Sequence, residues 1–318
     1  KFNRLVKIYE TIDSQYYNVT KGIDLGPIFS IYGKNEVEGD RIRLGARSYF
    51  TQNDPWRIQF YTAYGFKDQQ FKYGVEGKYM FNKVNRFMIG AGTRRDILQL
   101  GVQLTTDDGI MSRSFASSTV FARGENASLS SVNQTNLFAS IEPWKNFQVR
   151  LDGTLQSIKS ANPEGFNLMY YQNGNLRKTT NDSHVTISLI AKPGAVFSQT
   201  GVDRYENRTN SPTIVLKYTR GIDGLFNADF NYNKLQFMFY KPILIGSWGK
   251  SFFNFEAGKN FDIVPLALQN VIPGNQSYGI VRNTFALLNY YEFVADTYAT
   301  VHLEHHFNGK ILSFIPLV

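Results

Sequence analysis

Alternation limits this chain's possible folds more than any other feature. Between residues 41 and 81 three strand-length runs follow one another, joined only by the turns QNDP (52–55) and KDQQ (67–70). In the first run Ile42, Leu44 and Ala46 alternate with Arg41, Arg43, Gly45 and Arg47. In the second, Ile58, Phe60, Thr62 and Tyr64 alternate with Arg57, Gln59, Tyr61 and Ala63. The third sets Tyr73, Val75 and Tyr79 against Lys72, Glu76 and Lys78. A strand places successive side chains on opposite faces, so each run has one apolar and one charged face.

The same period of two recurs along the chain. It marks candidate strands at about 22–32, 41–51, 56–66, 71–81, 86–95, 97–104, 112–123, 131–142, 147–159, 184–193, 212–220, 226–240, 247–260, 282–293 and 296–307. Longer loops rich in Gly, Asn and Ser fall near 105–111, 160–183, 194–211 and 262–281. Residues 1–21 lack a clear period and read as a lead-in from an upstream part.

Strand length separates two all-β architectures. Many runs reach ten residues, against a mean of ~5–6 in soluble proteins and the ~9–11 that a tilted strand needs to cross a bilayer. A soluble sandwich would carry a Val/Ile/Leu-rich inner face. Here aromatics (Phe50, Phe66, Phe81, Phe87) sit near strand ends, with Ala, Gly, Thr or Leu between them. Phe (26) and Tyr (19) dominate the aromatic share, which suits interfacial girdles around a lipid band. The expected fold is a closed antiparallel transmembrane β-barrel of about 14–16 strands, sixteen being the first expectation. It would occupy 22–309, after the lead-in and before a tail at 310–318.

The facing follows from the alternation. Ile42, Leu44, Ile58, Phe60 and Leu151 should meet lipid, and Arg41, Arg43, Arg47, Arg57, Gln59 and Arg150 the lumen. Strand 296–307 should close the barrel against 22–32, with Tyr298, Val301, Leu303 and Phe307 among its residues. The tail should leave at the periplasmic end and cover the barrel mouth or dock a partner.

Other readings find little support. The net charge of +8 is spread singly along strands rather than gathered in a Lys/Arg block, so nucleic acid is not an expected partner. No apolar run approaches the ~18–20 residues of a membrane helix. The absence of cysteine excludes disulfides and thiol chemistry. In HLEHH (302–306), His302, Glu304 and His306 share one strand face and are candidate metal ligands. Residues two apart on a strand lie ~6.5 Å apart, however, so a polar strand end is the plainer reading. EVEGDRIR (36–43) reads as a salt-bridged turn, and Arg94, Arg95 and Asp96 as strand-end charges. Arg150 and Asp152 read as an ion pair on one face. Asp182, Ser183 and His184 are a local coincidence rather than a nucleophilic triad. No catalytic residue and no cofactor is expected.

Three stretches carry a resemblance: YGKNEVEGDRIRLGARSYF (32–50), YGFKDQQFKYGVEGKYMF (64–81) and NYYEFVADTYATVHLEHHFNGKILSFIPL (289–317). They resemble the C-terminal barrel of Bacteroidota outer-membrane proteins that carry an upstream carboxypeptidase-regulatory-like sandwich. That barrel is usually called a domain of unknown function, and it is similar to the BamA/surface-antigen barrels. The resemblance implies a bacterial outer-membrane location, with lipid and other outer-membrane or periplasmic proteins as partners. The RGF/RGY motif of the assembly and secretion members has only a faint counterpart in IVRNTF (280–285). The expected role is therefore a non-enzymatic scaffold or accessory subunit of an assembly or export complex. Two alternatives stay open: an anion-favouring channel, whose lumen arginines would set selectivity, and a soluble extracellular adhesin or carbohydrate-binding protein.

Overall fold

The computed structural model describes residues 9–12, 14–101, 104, 111, 127–198, 200–207, 210–275, 277 and 283–315. The first strands are β1 (Tyr17–Thr20), β2 (Gly22–Leu25), β3 (Tyr32–Asn35), β4 (Gly39–Tyr49), β5 (Trp56–Gly65), β6 (Phe71–Asn82) and β7 (Phe87–Leu98). Then come β8 (Ser130–Trp144), β9 (Phe147–Ser160), β10 (Tyr170–Gln172), β11 (Asn175–Arg177), β12 (Thr179–Ala191), β13 (Phe197–Ser198) and β14 (Tyr205–Glu206). The series ends with β15 (Thr213–Gly221), β16 (Tyr232–Leu244), β17 (Lys250–Asn260), β18 (Asn270–Val271), β19 (Val294–Ala295) and β20 (Thr297–His306).

Fourteen of these strands form one sheet, ordered β1-β2-β4-β5-β6-β7-β8-β9-β12-β15-β16-β17-β20, with β3 also paired to β4. Every pairing in it is antiparallel, as hairpin connections dictate. The turn between β8 and β9 shows how tightly they are joined. Trp144 lies opposite Phe147, and Asn146 takes the left-handed conformation (φ 63°) that asparagine tolerates.

The sheet curls so that one face is enclosed. Side chains from strands far apart in the order meet there, as Arg41 of β4 meets Asp96 of β7. Aromatic rings facing glycines across the ladder line part of the enclosed face. Tyr61 lies opposite Gly74, Phe138 opposite Gly90, Tyr232 opposite Gly221 and Tyr298 opposite Gly258. At each glycine a Cβ would fall within 2.5 Å of the facing ring, so the ring lies flat over bare backbone.

The two ends of the curled sheet differ. At one end the connections 50–55, 83–86, 145–146 and 245–249 are short, and only 192–212 is long. At the other end lie the long connections 99–129, 161–178 and 261–296. Parts of these enter the enclosed space. Leu104 packs on Ile190, Val215 and Met238, which are neighbours across three strands. Val264, Ala267 and Leu268 join Leu98, Val132, Ile158, Leu168 and Tyr232 in the largest apolar cluster.

Several expectations need correction. Among the described residues the main sheet has fourteen strands, the lower end of the expected 14–16 rather than the sixteen expected first, and no described pairing joins β1 and β20, which end the order. Segment 22–32 cannot receive β20 as one strand. Gly22–Leu25 already lies between β1 and β4, and after Pro27 and a 3-10 turn Tyr32–Asn35 pairs with β4 a second time. The sheet begins at Tyr17, inside the expected lead-in. In the candidate 97–104, Ile97 and Leu98 end β7, residues 99–101 are no longer strand, and Leu104 packs on the enclosed face. The described part of 282–293 forms turns rather than a strand, and the candidate 112–123 lies outside the described residues. In the tail, Leu312–Phe314 forms a 3-10 turn, and Ile311, Leu312, Phe314 and Ile315 are exposed rather than laid over an opening.

Candidate functional site: the polar interior

The enclosed face is polar because the alternation puts every second residue there. Arg41 is 1% exposed, whereas Leu44 on the opposite face of β4 is 64% exposed. Arg43, Arg57 and Arg150 are also buried, and Arg47 and Gln59 are half-buried. Ile42, Ile58, Phe60 and Leu151 are exposed. Ala46 shares their face but is buried, because it lies between Leu25 and Phe60 in the ladder.

Charges inside need partners, since an unpaired buried charge costs several kcal/mol. EVEGDRIR builds the first set of partners. Arg41 Nη1 donates to Glu38 Oε2 at 3.0 Å and to Asp96 Oδ1 at 2.8 Å, and Nη2 donates to Asp96 Oδ2 at 3.2 Å. Tyr61 Oη donates to Asp96 at 2.6 Å. Lys72 Nζ bridges Glu38 at 2.8 Å and Asp68 at 2.6 Å, and Asn35 Nδ2 donates to Glu38 at 2.9 Å. Asp96 is thus a buried partner of a residue 55 positions away, not a charge at a strand end. Arg94, its neighbour but one, donates to Gln134 at 2.9 Å, and Arg95 is exposed. Arg150 and Asp152 form a bidentate pair, both bonds 2.8 Å, and the guanidinium lies 3.9 Å from the Phe138 ring centroid.

The second set pins 192–212 into the short-turn end. Asp203 accepts from Arg57 Nε at 2.9 Å and Lys78 Nζ at 2.8 Å. Burial pushes its carboxyl up, but the Lys78 ammonium and the Arg57 guanidinium outweigh burial and hold it at about 2. Arg86 donates to the carbonyls of Gly201 (3.0 Å) and Val202 (3.3 Å). Arg204 pairs with Glu142. Thr200 N and Oγ1 both reach Asn53 Oδ1 in the turn 50–55, at 2.9 and 3.1 Å. Gly201 is pressed so close to that turn that a Cβ would sit 2.7 Å from the Gln52 carbonyl. Behind this clamp lies a cavity of about 410 Å³, bordered by Arg47, Glu76, Gln148 and Lys192 among others.

Two further cavities, of about 300 and 240 Å³, share Gly101, Lys217, Lys234, Gln236 and Gln269 and lie under the long loops. His184 lines the larger one, with Nδ1 2.7 Å from Asp182 Oδ2. Asp182 also accepts from Gln156 at 2.8 Å and Tyr232 at 3.2 Å. Ser183 bonds the Leu225 carbonyl instead, at 2.7 Å, so no Asp-His-Ser relay forms.

The metal candidates do not converge. Glu304 pairs with His306, and His302 lies against the Phe285 ring with centroids 4.4 Å apart. His305 joins Ser251 and the Trp248 carbonyl. Among the described residues no three His, Asp or Glu side chains are placed to hold an ion. Of the remaining residues of β20, Tyr298 is half-buried over Gly258, Val301 and Leu303 are exposed, and Phe307, just beyond the strand, packs on His305.

Two residue sets escaped the sequence reading. The clamp 200–204 lies in a loop with no period to read, its one signal a lone Asp, and Leu104 ends a run, 97–104, that alternates like a strand and so gives no sign of turning inward.

Fold and interior together define an all-β protein, with one large antiparallel sheet curled around a charged, loop-filled centre. The chain belongs to the family described as "Family of unknown function (DUF5686) C-terminal domain", which it matches over residues 7–318. No curated protein matches it.

Proposed function

We propose that this chain is a non-enzymatic β-barrel of a bacterial outer membrane. In this reading it is a plugged scaffold or accessory subunit of an outer-membrane assembly or surface-export complex. The observation that carries the reading is the inversion of the sheet, with charges enclosed and Ile, Leu, Val and aromatic side chains exposed. An exposed apolar face this extensive needs an apolar surrounding.

Aromatic pairs support the same placement. Phe50–Trp56, Tyr79–Phe81, Phe81–Phe87 and Trp144–Phe147 gather at the short-turn end, and Tyr64–Phe66 and Tyr64–Phe71 at the other. From Trp56 to Tyr64 along β5 is ~27 Å, which a usual barrel tilt shortens to ~20 Å, close to the lipid band of known barrels. No described helix is long and apolar enough to span a membrane, which bears only on helical crossings. In hydrocarbon the outer edges of β1 and β20, the ends of the described order, must be joined or covered, because each unpaired backbone group costs several kcal/mol. The Bacteroidota setting and the kinship to BamA/surface-antigen barrels rest on the three resembling stretches.

The anion-channel alternative has less support. Arg41, Arg47, Arg57 and Arg150 are each paired to a carboxylate, and the clamp and the Leu104 side chain occupy the interior. The test is the purified chain's need for detergent and its heat-modifiable migration on a gel, in wild type, Leu44→Arg and Leu151→Arg. An arginine at mid-bilayer should cost ~2–4 kcal/mol, so both variants should assemble poorly in membranes. A wild type that is monodisperse without detergent, with both variants equally stable, rejects the proposal and favours the soluble adhesin.

A further inference from the structure

The interior cations of the clamp and of the Glu38–Asp96 network each meet a carboxylate directly, whereas Lys234 among the described residues feels only Asp182, a carboxylate already engaged by His184, Gln156 and Tyr232. Lys234 forms no ion pair or hydrogen bond among the described residues, yet it borders both cavities under the long loops. In the ladder Lys234 is directly opposite Thr219, and Lys217 follows two residues away on the same face. His184 stands opposite Gly221, the next inward position after Thr219. Such diagonal neighbours lie ~7–8 Å apart, the span of a small solute.

The rest of the lining is hydroxyl and amide. Thr154, Thr186 and Thr219 supply hydroxyls, and Gln134, Gln236 and Gln269 supply amides. The larger cavity has one lining carboxylate, Asp152, which Arg150 holds bidentately, and the smaller has one, Glu256, which accepts from Asn254 Nδ2 at 2.8 Å and faces Lys217. Asp182 behind the wall engages His184 Nδ1, leaving Nε2 as the ring nitrogen available to the cavity. Neutral donors and acceptors at this density suit a polyol, and an ammonium with no ion pair among the described residues suits an anion.

We infer that these joined cavities form a binding site for a small hydroxyl-rich oxoanion, a sugar acid or a sugar phosphate. Lys234 is its charge partner, and the Thr and Gln side chains read its hydroxyls. The inference goes beyond the barrel reading and does not depend on what surrounds the outer face.

Calorimetric titration of the purified full chain with glucuronate, glucose 6-phosphate, glucose and inorganic phosphate tests it. Glucuronate or glucose 6-phosphate should bind, and whichever is tighter tells the acid from the phosphate. Glucose, which lacks the charge, and phosphate, which lacks the hydroxyls, should bind at least about tenfold more weakly. Lys234→Gln should weaken the acidic sugar by about tenfold or more, Lys234→Arg should restore most of the affinity, and Lys259→Gln on the outer face should change nothing. If Lys234→Gln fails to fold, Lys217→Gln takes its place with the same expectation. The inference is overturned if neither acidic sugar binds, if glucose binds equally well, or if the folded lysine variants keep wild-type affinity.

Discussion

The two ends of the interior are sealed by different physics. At the short-turn end the loop 192–212 is held by charge, through Asp203 to Arg57 and Lys78, Arg204 to Glu142 and Arg86 to two carbonyls. At the long-loop end the incoming segments are held by contact among Leu98, Val132, Ile158, Leu168, Tyr232, Val264, Ala267 and Leu268. Charge fixes a loop at a few points in one orientation and responds to salt and pH. Apolar burial is non-directional and strengthens slightly with salting-out ions. The first seal can therefore be released without unfolding the sheet, and the second cannot be released by the same means.

The largest expected effect lies in the wall beside the apolar seal. Arg41→Met removes the one guanidinium that serves both Glu38 and Asp96, and leaves Asp96 with only the Tyr61 hydroxyl and its neighbour's N–H. Breaking a buried pair from one side costs ~3–5 kcal/mol. Thermal or denaturant unfolding in detergent should fall by that amount. A loss under ~1 kcal/mol would mean that water reaches the network and that the wall is as soft as the clamp.

Next comes the apolar seal itself. Leu268→Ala should cost ~2–4 kcal/mol, the usual range for a buried leucine. Proteolytic nicking within 261–296 should rise in this variant while 192–212 stays protected. Raising the salt to about 1 M should not add to the nicking, since this segment is held by apolar contacts and hydrogen bonds, as from Asn233 to Asp262, with no ion pair among the described residues. If salt alone exposes this segment in wild type, the contrast between the ends fails.

Asp203→Asn should act at the opposite end and more weakly. With the carboxyl held near 2 against an ordinary value of 3.8, its pairing contributes about 2 kcal/mol at neutral pH, less whatever solvent screens at its partly exposed edge. The variant should expose 192–212 to protease and leave the global melting almost unchanged. In planar bilayers wild type should show little steady conductance, and the variant brief openings from the short-turn side. Large steady openings in wild type would count against a plugged scaffold and for the channel.

How much of this was legible in the sequence follows from the range of each interaction. The exposure pattern of β4 could be read directly, because the pleat turns Arg41 and Leu44 to opposite faces whatever else happens. Arg150 and Asp152 were legible as a pair because two residues on one strand face are local neighbours. The partnership of Arg41 and Asp96 was not, since it depends on sheet curvature that no local pattern encodes. The double pairing of β4 by β2 and β3 was equally hidden. The run 22–32 alternates as if continuous, and only Gly26-Pro27 inside it hinted at a break. The inward place of 200–204 had no signal beyond loop length, and Leu104 was hidden at the end of 97–104, which alternates like a strand. In the candidate site Lys234 looked like any other strand lysine, and its lack of an ion pair among the described residues is a property of the assembled wall.

The smallest effect is the pH response of the clamp, and its sign discriminates best. Asp203 has a folded value below its unfolded one, so its contribution is fully present above about pH 4 and is lost as pH falls toward 2. Protease access to 192–212 should be flat from about pH 8 to pH 5 and rise only in the acid limb, read with an acid-active protease. Asp203→Asn, already lacking the charge, should show high access across the whole range and a much weaker limb. Asp54, in the facing turn, titrates in the same direction. Burial raises its carboxyl, but hydrogen bonds from Thr51 and Phe50 hold it below the usual range, so a residual limb in Asp203→Asn belongs to Asp54. Access that instead rose between about pH 6 and 7 would point to a histidine, and among the described residues no histidine holds this loop. That outcome would assign the seal to groups other than Asp203, and the two ends would then differ in composition but not in the way they open.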